Sequence, residues 1–480
     1  MKHNQAVSKV KKNKSGTTRN SRRRERPLLS AKKAFLSFLV IILLLGFLSQ
    51  YALTAQFGTE DLSAELLQVV NYDTPLNGDT TSIPLDLEKT EPERGVERPT
   101  KCTLEQLMKV RTHLDPTICA ANIRNPHQQK CSLTQATKCP DTSNYLDEYY
   151  DELQKQYLKS SNRKNDFGSF VGLSVGCNKG FDALNTLRMG TFDASLSTEA
   201  WKKEMIKDGE LHTSVCHQDS TSPFSVDTAI DKPRKGVVHC FEPMPSTVVR
   251  LQESSKNLGY DKKGYKVVHA AVDNAVGKVY FPGAAVSGVE NKGILNCNGK
   301  GKDYDKASCT AEVRLITLNK YVKENIPGDG PIHILQVDVE GYDNNVILGA
   351  GREVLERVEY LEFEYNWMGP WKKQHLYDTI EMLDDLDFTC YWAGIQKLWR
   401  ITGCWQVYFD IHTWSNISCA NRRRVPVLAN KMEGVFQQTL KSKSLDIRVD
   451  LDYKKYPAPN QEAISTDPAV MTQKYLTKWW

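Results

Sequence analysis

Three short stretches carry residues whose types and order suit chemistry. The first is Gly176-Cys177-Asn178-Lys179-Gly180, which follows the apolar run Phe170–Val175. Glycines at a strand-to-helix turn let backbone N–H groups come close to a ligand at a helix N-terminus. The second is Phe241-Glu242-Pro243, where a carboxylate closes another apolar run. In a doubly wound sheet that position faces a ribose, and a carboxylate accepts its hydroxyls. The usual gap between the two features is ~20 residues. Here Glu242 follows Gly180 by 62 residues, which requires an insertion within Met189–Arg234. The third stretch is Val337-Asp338-Val339-Glu340-Gly341, two carboxylates just beyond the apolar run Ile332–Val337. Ligands of such sheets bind beyond the carboxyl ends of strands. Each stretch taken alone also has a structural reading: turn glycines, a surface Glu before a proline turn, and carboxylates capping a helix, with Asp343 as the expected N-cap.

These stretches work together only if strands bring their ends to a common edge. Strand-like runs occur at Ser169–Val175, Gly236–Phe241, Tyr265–Val272, Ile332–Val337 and Val358–Tyr365, then near Phe388–Trp392 and Gln406–Ile411. Helix-like stretches lie at Ser143–Lys159, from Phe181, and at Pro245–Leu258, Leu318–Asn325, Asn344–Arg357 and Gln374–Asp387. The alternation predicts an α/β fold with a mostly parallel sheet and helices on both faces. His333 alternates inside a strand and is expected in the core.

The ordered set is more specific than any of its members. Gly176-Cys177-Asn178-Lys179-Gly180, Phe241-Glu242-Pro243, Ala271-Val272-Asp273, Thr317-Leu318-Asn319 and Val337-Asp338-Val339-Glu340-Gly341, followed by Val346-Ile347-Leu348-Gly349-Ala350, together resemble an FkbM-family methyltransferase over about Asp166 to Asp410. The resemblance implies a Rossmann-like class I methyltransferase fold, S-adenosyl-L-methionine as donor, and O-methylation of a hydroxyl on a glycan or small molecule. It further implies that Gly176, Asn178, Gly180 and Glu242 line the methionine and ribose part of the donor, and that Ala271 and Asp273 border its adenine. Asp338 and Glu340 would lie by the transferred methyl and acceptor, and Glu364 matches another acidic strand end. The chain departs from the pattern at Ser174, where an acidic residue is usual, and at Gln336, Asn319 and Asp343. Methyl transfer needs alignment of the acceptor oxygen and a base for its proton, for which Asp338 is first choice, then Glu340 and Glu364. A divalent cation held by Asp338 is the alternative activator. Trp367 and Trp371 suit stacking on a sugar face or plain packing.

Composition bounds the rest. The 480 residues are 40% hydrophobic and 25% charged, which excludes a disordered or collagen-like chain. Residues 1–33 hold 12 Lys/Arg against one Glu, a net of +11. Residues 60–101 hold 10 Asp/Glu against four Lys/Arg, a net of −6, so the overall +5 leaves the remainder neutral. No nucleic-acid partner is expected, because the basic excess sits in a tail. Residues 34–55 are uncharged and apolar, long enough for the ~20 residues that a membrane helix needs. The basic flank before them predicts a cytosolic N-terminus.

The expected organisation is a basic cytosolic tail (1–33), a transmembrane helix (34–55), an acidic flexible stem (56–101), a cysteine-containing cap (102–165), the methyltransferase domain (166–419) and a C-terminal extension (420–480). That makes a single-pass type II protein of the Golgi or endoplasmic reticulum, its catalytic domain lumenal. All 12 cysteines follow residue 101, which permits disulfides there. Cys297/Cys309 and Cys404/Cys419 could close loops, and Cys177 and Cys240 are as readily free thiols. No cysteine pattern has zinc spacing. The sequon Asn416-Ile417-Ser418 suits this topology. The alternatives are a type II Golgi glycosyltransferase, whose acidic metal motif Asp338-Val339-Glu340 mimics, and a non-catalytic carbohydrate-binding protein on a methyltransferase fold.

Overall fold

The computed structural model describes residues 99–114, 143–159, 167–207, 224–283, 288, 297, 309–366, 368–394, 396–406, 409 and 415–442. All lie in the second of two compact units, Lys89–Trp480. The tail 1–33, the span 34–55, nearly all of the stem and residues 443–480 lie outside the described residues. Among the described residues no helix is long and apolar enough to cross a membrane.

Eleven strands and nine α-helices are described: α1 (Leu104–Leu114), α2 (Ser143–Lys159), β1 (Phe170–Val175), α3 (Phe181–Thr191), α4 (Thr198–Met205), β2 (Gly236–Glu242), α5 (Pro245–Asn257), β3 (Tyr265–His269), β4 (Ala271–Val272), β5 (Gly277–Phe281), β6 (Ala311–Ile316), α6 (Leu318–Asn325), β7 (Ile332–Val337), α7 (Asp343–Leu355), β8 (Val358–Tyr365), α8 (Leu376–Asp384), β9 (Phe388–Gly394), β10 (Lys397–Arg400), β11 (Ser415–Asn421) and α9 (Pro426–Lys441). Eight strands form one sheet in the order β10-β9-β11-β8-β7-β1-β2-β3. The chain thus runs outward from β1 through β2 to β3, then returns to β7 on the other side of β1 and continues to β8. Right-handed crossovers in opposite directions put α3 and α5 on one face and α7 on the other. The gap between the carboxyl ends of β1 and β7 is the topological switch point, where such sheets bind ligands.

The sheet is mixed, which corrects the expectation of a mostly parallel one. Four pairings, β1–β2, β1–β7, β2–β3 and β7–β8, are parallel. Three, β8–β11, β11–β9 and β9–β10, are antiparallel. The short link between β9 and β10 can join only an antiparallel pair. β11 lies between β8 and β9 and pairs with both. The run Tyr265–Val272 divides between two sheets: β3 ends at His269, and β4 joins β6 and β5 in a second, three-stranded sheet. Gln406 is not in a strand and Phe409 lies in a 3-10 turn, so the expected strand near Gln406–Ile411 is absent at its described positions.

Apolar residues explain the layers. Leu173, Val238, Leu335, Leu361 and Phe363 are all inaccessible in the central strands, the signature of a sheet covered on both faces. The expected cap is part of this core. In α2, Tyr145 and Tyr150 are buried, and the Tyr145 hydroxyl lies 3.2 Å from that of Tyr360 in β8. Cys102 is bonded to Cys404. β11 runs on to Asn421, and α9 buries Met432 and Phe436 against the sheet, so the fold extends at least to Lys441.

Cys297 and Cys309 are bonded as expected, but Cys404 and Cys419 take other partners, Cys102 and Cys390. Cys177 and Cys240 form a disulfide, so neither is a free thiol. The sequon occupies an interior strand. Ser418 is buried and accepts a hydrogen bond from Tyr360, and the Asn416 amide donates to Glu362 Oε1 at 3.4 Å. The sequon is therefore not the exposed loop that glycosylation requires.

Candidate functional site

β1 ends at Val175, and the next two amides, of Gly176 and Cys177, both donate to Phe241 O at 3.0 Å. The turn closes through Gly180 N to Cys177 O at 2.6 Å. Gly176, Asn178 and Gly180 have φ of 80°, 45° and 77°. That left-handed region suits glycine and, less well, asparagine. The two glycines were expected to admit a ligand, yet what they admit is the protein itself. A Cβ on Gly176 would lie 1.8 Å from Asp338 O, and one on Gly180 would lie 2.1 Å from Tyr265 Oη. The glycines therefore allow β1, β7 and β3 to converge.

Glu242 is 6% exposed at the end of β2, and both of its carboxylate oxygens accept backbone amides: Oε2 from Asn178 at 2.9 Å and Oε1 from Met244 at 2.8 Å. It staples the glycine turn to the start of α5. Burial pushes its carboxyl up to about 7, against the lowering effect of those two amides. Each oxygen keeps a second acceptor direction, so a ribose hydroxyl could still be received.

The acidic edge lies directly beside this turn. Asp338 N donates to Val175 O at 2.9 Å, and its side chain is exposed. Glu340 and Gly341 turn the chain with φ of 57° and 96°. Asp343 stabilises that turn and is not the helix N-cap. Tyr342 holds that position, and the fully buried Asp343 carboxylate reaches back to accept Val339 N at 3.3 Å and Gly341 N at 3.2 Å. Glu364, at the end of β8, is buried and accepts from Asn366 Nδ2 at 2.6 Å. Its carboxyl is held well above the usual range by burial, then by the charges of Asp338, Asp343 and Glu340. Burial, with a smaller contribution from Glu340, likewise raises Asp343 to about 7. Asp338, Glu340, Asp343 and Glu364 thus share one field. Among the described residues no group of three or more His, Cys, Asp or Glu side chains could hold a metal ion, so the cation alternative finds no ready ligand set there.

The remaining expected residues fall at different distances from this edge. Ala271 is buried in the second sheet's apolar cluster with Met244, Val279, Phe281, Val313 and Leu315, two positions along the chain from Asp273. Asp273 caps its own turn through Asn274 N at 2.8 Å, and its charge helps raise the Tyr342 hydroxyl, itself beside Gly341. Trp371 is inaccessible, donates Nε1 to Glu364 O at 3.2 Å and stacks on Phe363, so packing and not sugar stacking is its role. Trp367 lies outside the described residues. His333 sits in the core at the opposite, amino end of β7. Gln336 accepts from Thr186 Oγ1 at 3.0 Å, and Ser174 is buried beside it in β1.

Two residues that hold the glycine turn were not foreseen: Tyr265, whose hydroxyl donates to Gly180 O at 3.1 Å, and Trp201, whose Nε1 donates to Lys179 O at 2.9 Å.

Residues 217–390 match the family model of the methyltransferase FkbM domain. The match includes Glu242, Ala271, Asp273, Asp338, Glu340 and Glu364 and leaves out β1 with its glycine turn. An α/β fold with a mixed sheet fits an FkbM methyltransferase domain, and the acidic edge and Glu242 are the parts of the site that fall inside it. The search of curated proteins found no match to the chain.

Proposed function

We propose that the protein is an S-adenosyl-L-methionine-dependent O-methyltransferase, acting on a hydroxyl of a glycan or other sugar-containing acceptor in the secretory pathway. The observation that carries the reading is the junction at the switch point. There the turn after β1, held by Glu242 through the 2.9 Å bond to Asn178 N, abuts the Asp338 backbone, whose amide donates to Val175 O at 2.9 Å.

When bound, the donor supplies a methyl group activated on a sulfonium. Glu242 receives the ribose hydroxyls with the acceptor directions that Asn178 and Met244 leave open. The amides of Gly176, Cys177, Asn178 and Gly180 are engaged within the protein, so the turn shapes this end of the site without donating to the ligand. Asp338, exposed at the edge, takes the proton of the acceptor hydroxyl as it attacks. Glu364 lies in the same field, its carboxyl raised by burial and then by the charges of Asp338, Asp343 and Glu340, so the two carboxyl groups stand in different environments. The concentration of carboxylates repels phosphate or carboxylate groups near the acceptor hydroxyl, which favours a neutral sugar.

All eight described cysteines are paired, which supports an oxidising compartment. Residues 34–55 would anchor the chain in the bilayer with the catalytic domain in the lumen. The test is methyl transfer to an array of neutral glycans and simple alcohols by the full-length chain. Asp338→Asn is expected to bind S-adenosylhomocysteine normally and to lose about 100-fold in turnover, within the range for general bases. Unchanged turnover would remove Asp338 from the base role.

A further inference from the structure

The disulfide between Cys177 and Cys240 lies inside the junction just described, and the reading above gives it no role. Cys177 is the second residue of the glycine turn, and Cys240 precedes Glu242 by two positions in β2. The two Cα atoms are 5.5 Å apart. Cys177 is 7% exposed and Cys240 is inaccessible, and the Tyr265 hydroxyl that holds Gly180 O also contacts Cys240 Sγ at 3.4 Å. Beside this bond, hydrogen bonds tie the turn to β2: Asn178 N to Glu242, and the Gly176 and Cys177 amides to Phe241 O. Three residues of the turn occupy left-handed backbone conformations, and surrounding structure must hold such conformations in place.

We propose that the Cys177–Cys240 disulfide is a redox-dependent clamp on the donor site, so that the oxidised chain presents the glycine turn ready for donor and the reduced chain does not. The inference rests on the reading of this turn as the donor site. Release of the clamp consumes a dithiol reductant. The Sγ–Sγ bond breaks, the dithiol gives up two electrons and two protons and becomes a disulfide, and Cys177 and Cys240 become thiols. Because both sulfurs are covered, the reductant reaches them only when the turn opens. Donor that binds the closed turn therefore slows reduction, and by the same coupling the disulfide strengthens donor binding. A disulfide uncoupled from the donor site would not show selective protection by the donor product.

The test uses the oxidised full-length chain and S-adenosylhomocysteine. The double variant Cys177→Ala/Cys240→Ala is expected to bind about tenfold more weakly, with faster amide exchange at residues 176–180. Cys297→Ser/Cys309→Ser, which opens a disulfide elsewhere, is expected to change neither. Equal affinity in the clamp variant and the parent overturns the proposal. Should the clamp variant not fold, the parent chain is treated with dithiothreitol, and alkylation of each cysteine is followed by mass spectrometry. Saturating S-adenosylhomocysteine is then expected to slow alkylation of Cys177 and Cys240 at least fivefold and leave Cys297 and Cys309 unaffected. Equal rates with and without it overturn the clamp. If the oxidised parent binds no S-adenosylhomocysteine at all, the donor-site reading fails and the clamp fails with it. Loss of the clamp alone leaves that reading standing.

Discussion

Glu242 holds two backbone amides with two oxygens, and a glutamine there has only one oxygen to offer. Glu242→Gln sets an amide NH2 against the N–H of Asn178 or Met244. An unsatisfied buried donor costs ~1–3 kcal/mol, and donor affinity is expected to fall by about tenfold or more with it. Urea unfolding and S-adenosylhomocysteine titration of the same variant check both parts. A second residue-scale expectation concerns His239. It is 2% exposed, lies 2.8 Å from the Tyr321 hydroxyl, and is lowered to about 4 by burial and then by Lys266. Its folded value lies below the unfolded one of about 6.5. Its contribution is therefore complete above pH 6.5 and disappears as pH falls through 4. The stability difference between the parent chain and His239→Gln should shrink by ~1–3 kcal/mol between pH 7 and pH 4. Denaturation at those two pH values measures it, and a difference that stays constant would show that folding leaves the His239 pKa at its unfolded value.

Among elements, the contact between β1 and β7 decides whether the crevice exists. Gly176→Ala puts a methyl carbon into the Asp338 carbonyl at a residue whose φ is 80°. Backbone cannot give way as a flexible side chain can, so the strand ends must part. Strain and overpacking of this kind cost ~2 kcal/mol or more, and both stability and donor binding should fall. A stable, donor-competent Gly176→Ala chain would show that the two strand ends are not the crevice floor. The elements that build this floor could be read from sequence because their local chemistry is unambiguous. Ile332–Val337 and Val358–Tyr365 are β-branched and aromatic runs bounded by turn or helix signals, and their observed limits agree with the expected ones. Ser415–Asn421 carries little strand signal, because Ile417 is its only strong strand former. It is a strand because β8 and β9 both supply partners, and tertiary context of that kind overrides propensity. Glu242 and Asp338 stood out because each closes an apolar strand. Trp201 and Tyr265 did not, since only folding brings the inserted α4 and the start of β3 against the glycine turn. The polarity of β9, β10 and β11 was likewise invisible, because strand direction depends on links whose lengths single runs do not reveal.

The described residues of the second unit bring the glycine turn and the acidic edge together at the meeting of two halves of a doubly wound sheet, with a cap, an antiparallel extension and a C-terminal helix packed onto the same core. Among the described residues there are four disulfides, and the widest in sequence joins residues 302 apart, from Cys102 before α1 to Cys404 after β10. The family match covers the acidic edge and Glu242, while the glycine turn lies outside it. On the proposed function, the unmatched turn and the matched edge form one donor site. Isothermal titration of the oxidised full-length chain with S-adenosylhomocysteine, run beside a nucleotide sugar as competitor, tests it most directly. The expected result is saturable one-site binding that Glu242→Gln and Gly176→Ala both weaken at least tenfold and that the nucleotide sugar does not displace. Binding untouched by either substitution, or heat only from the nucleotide sugar, would contradict it.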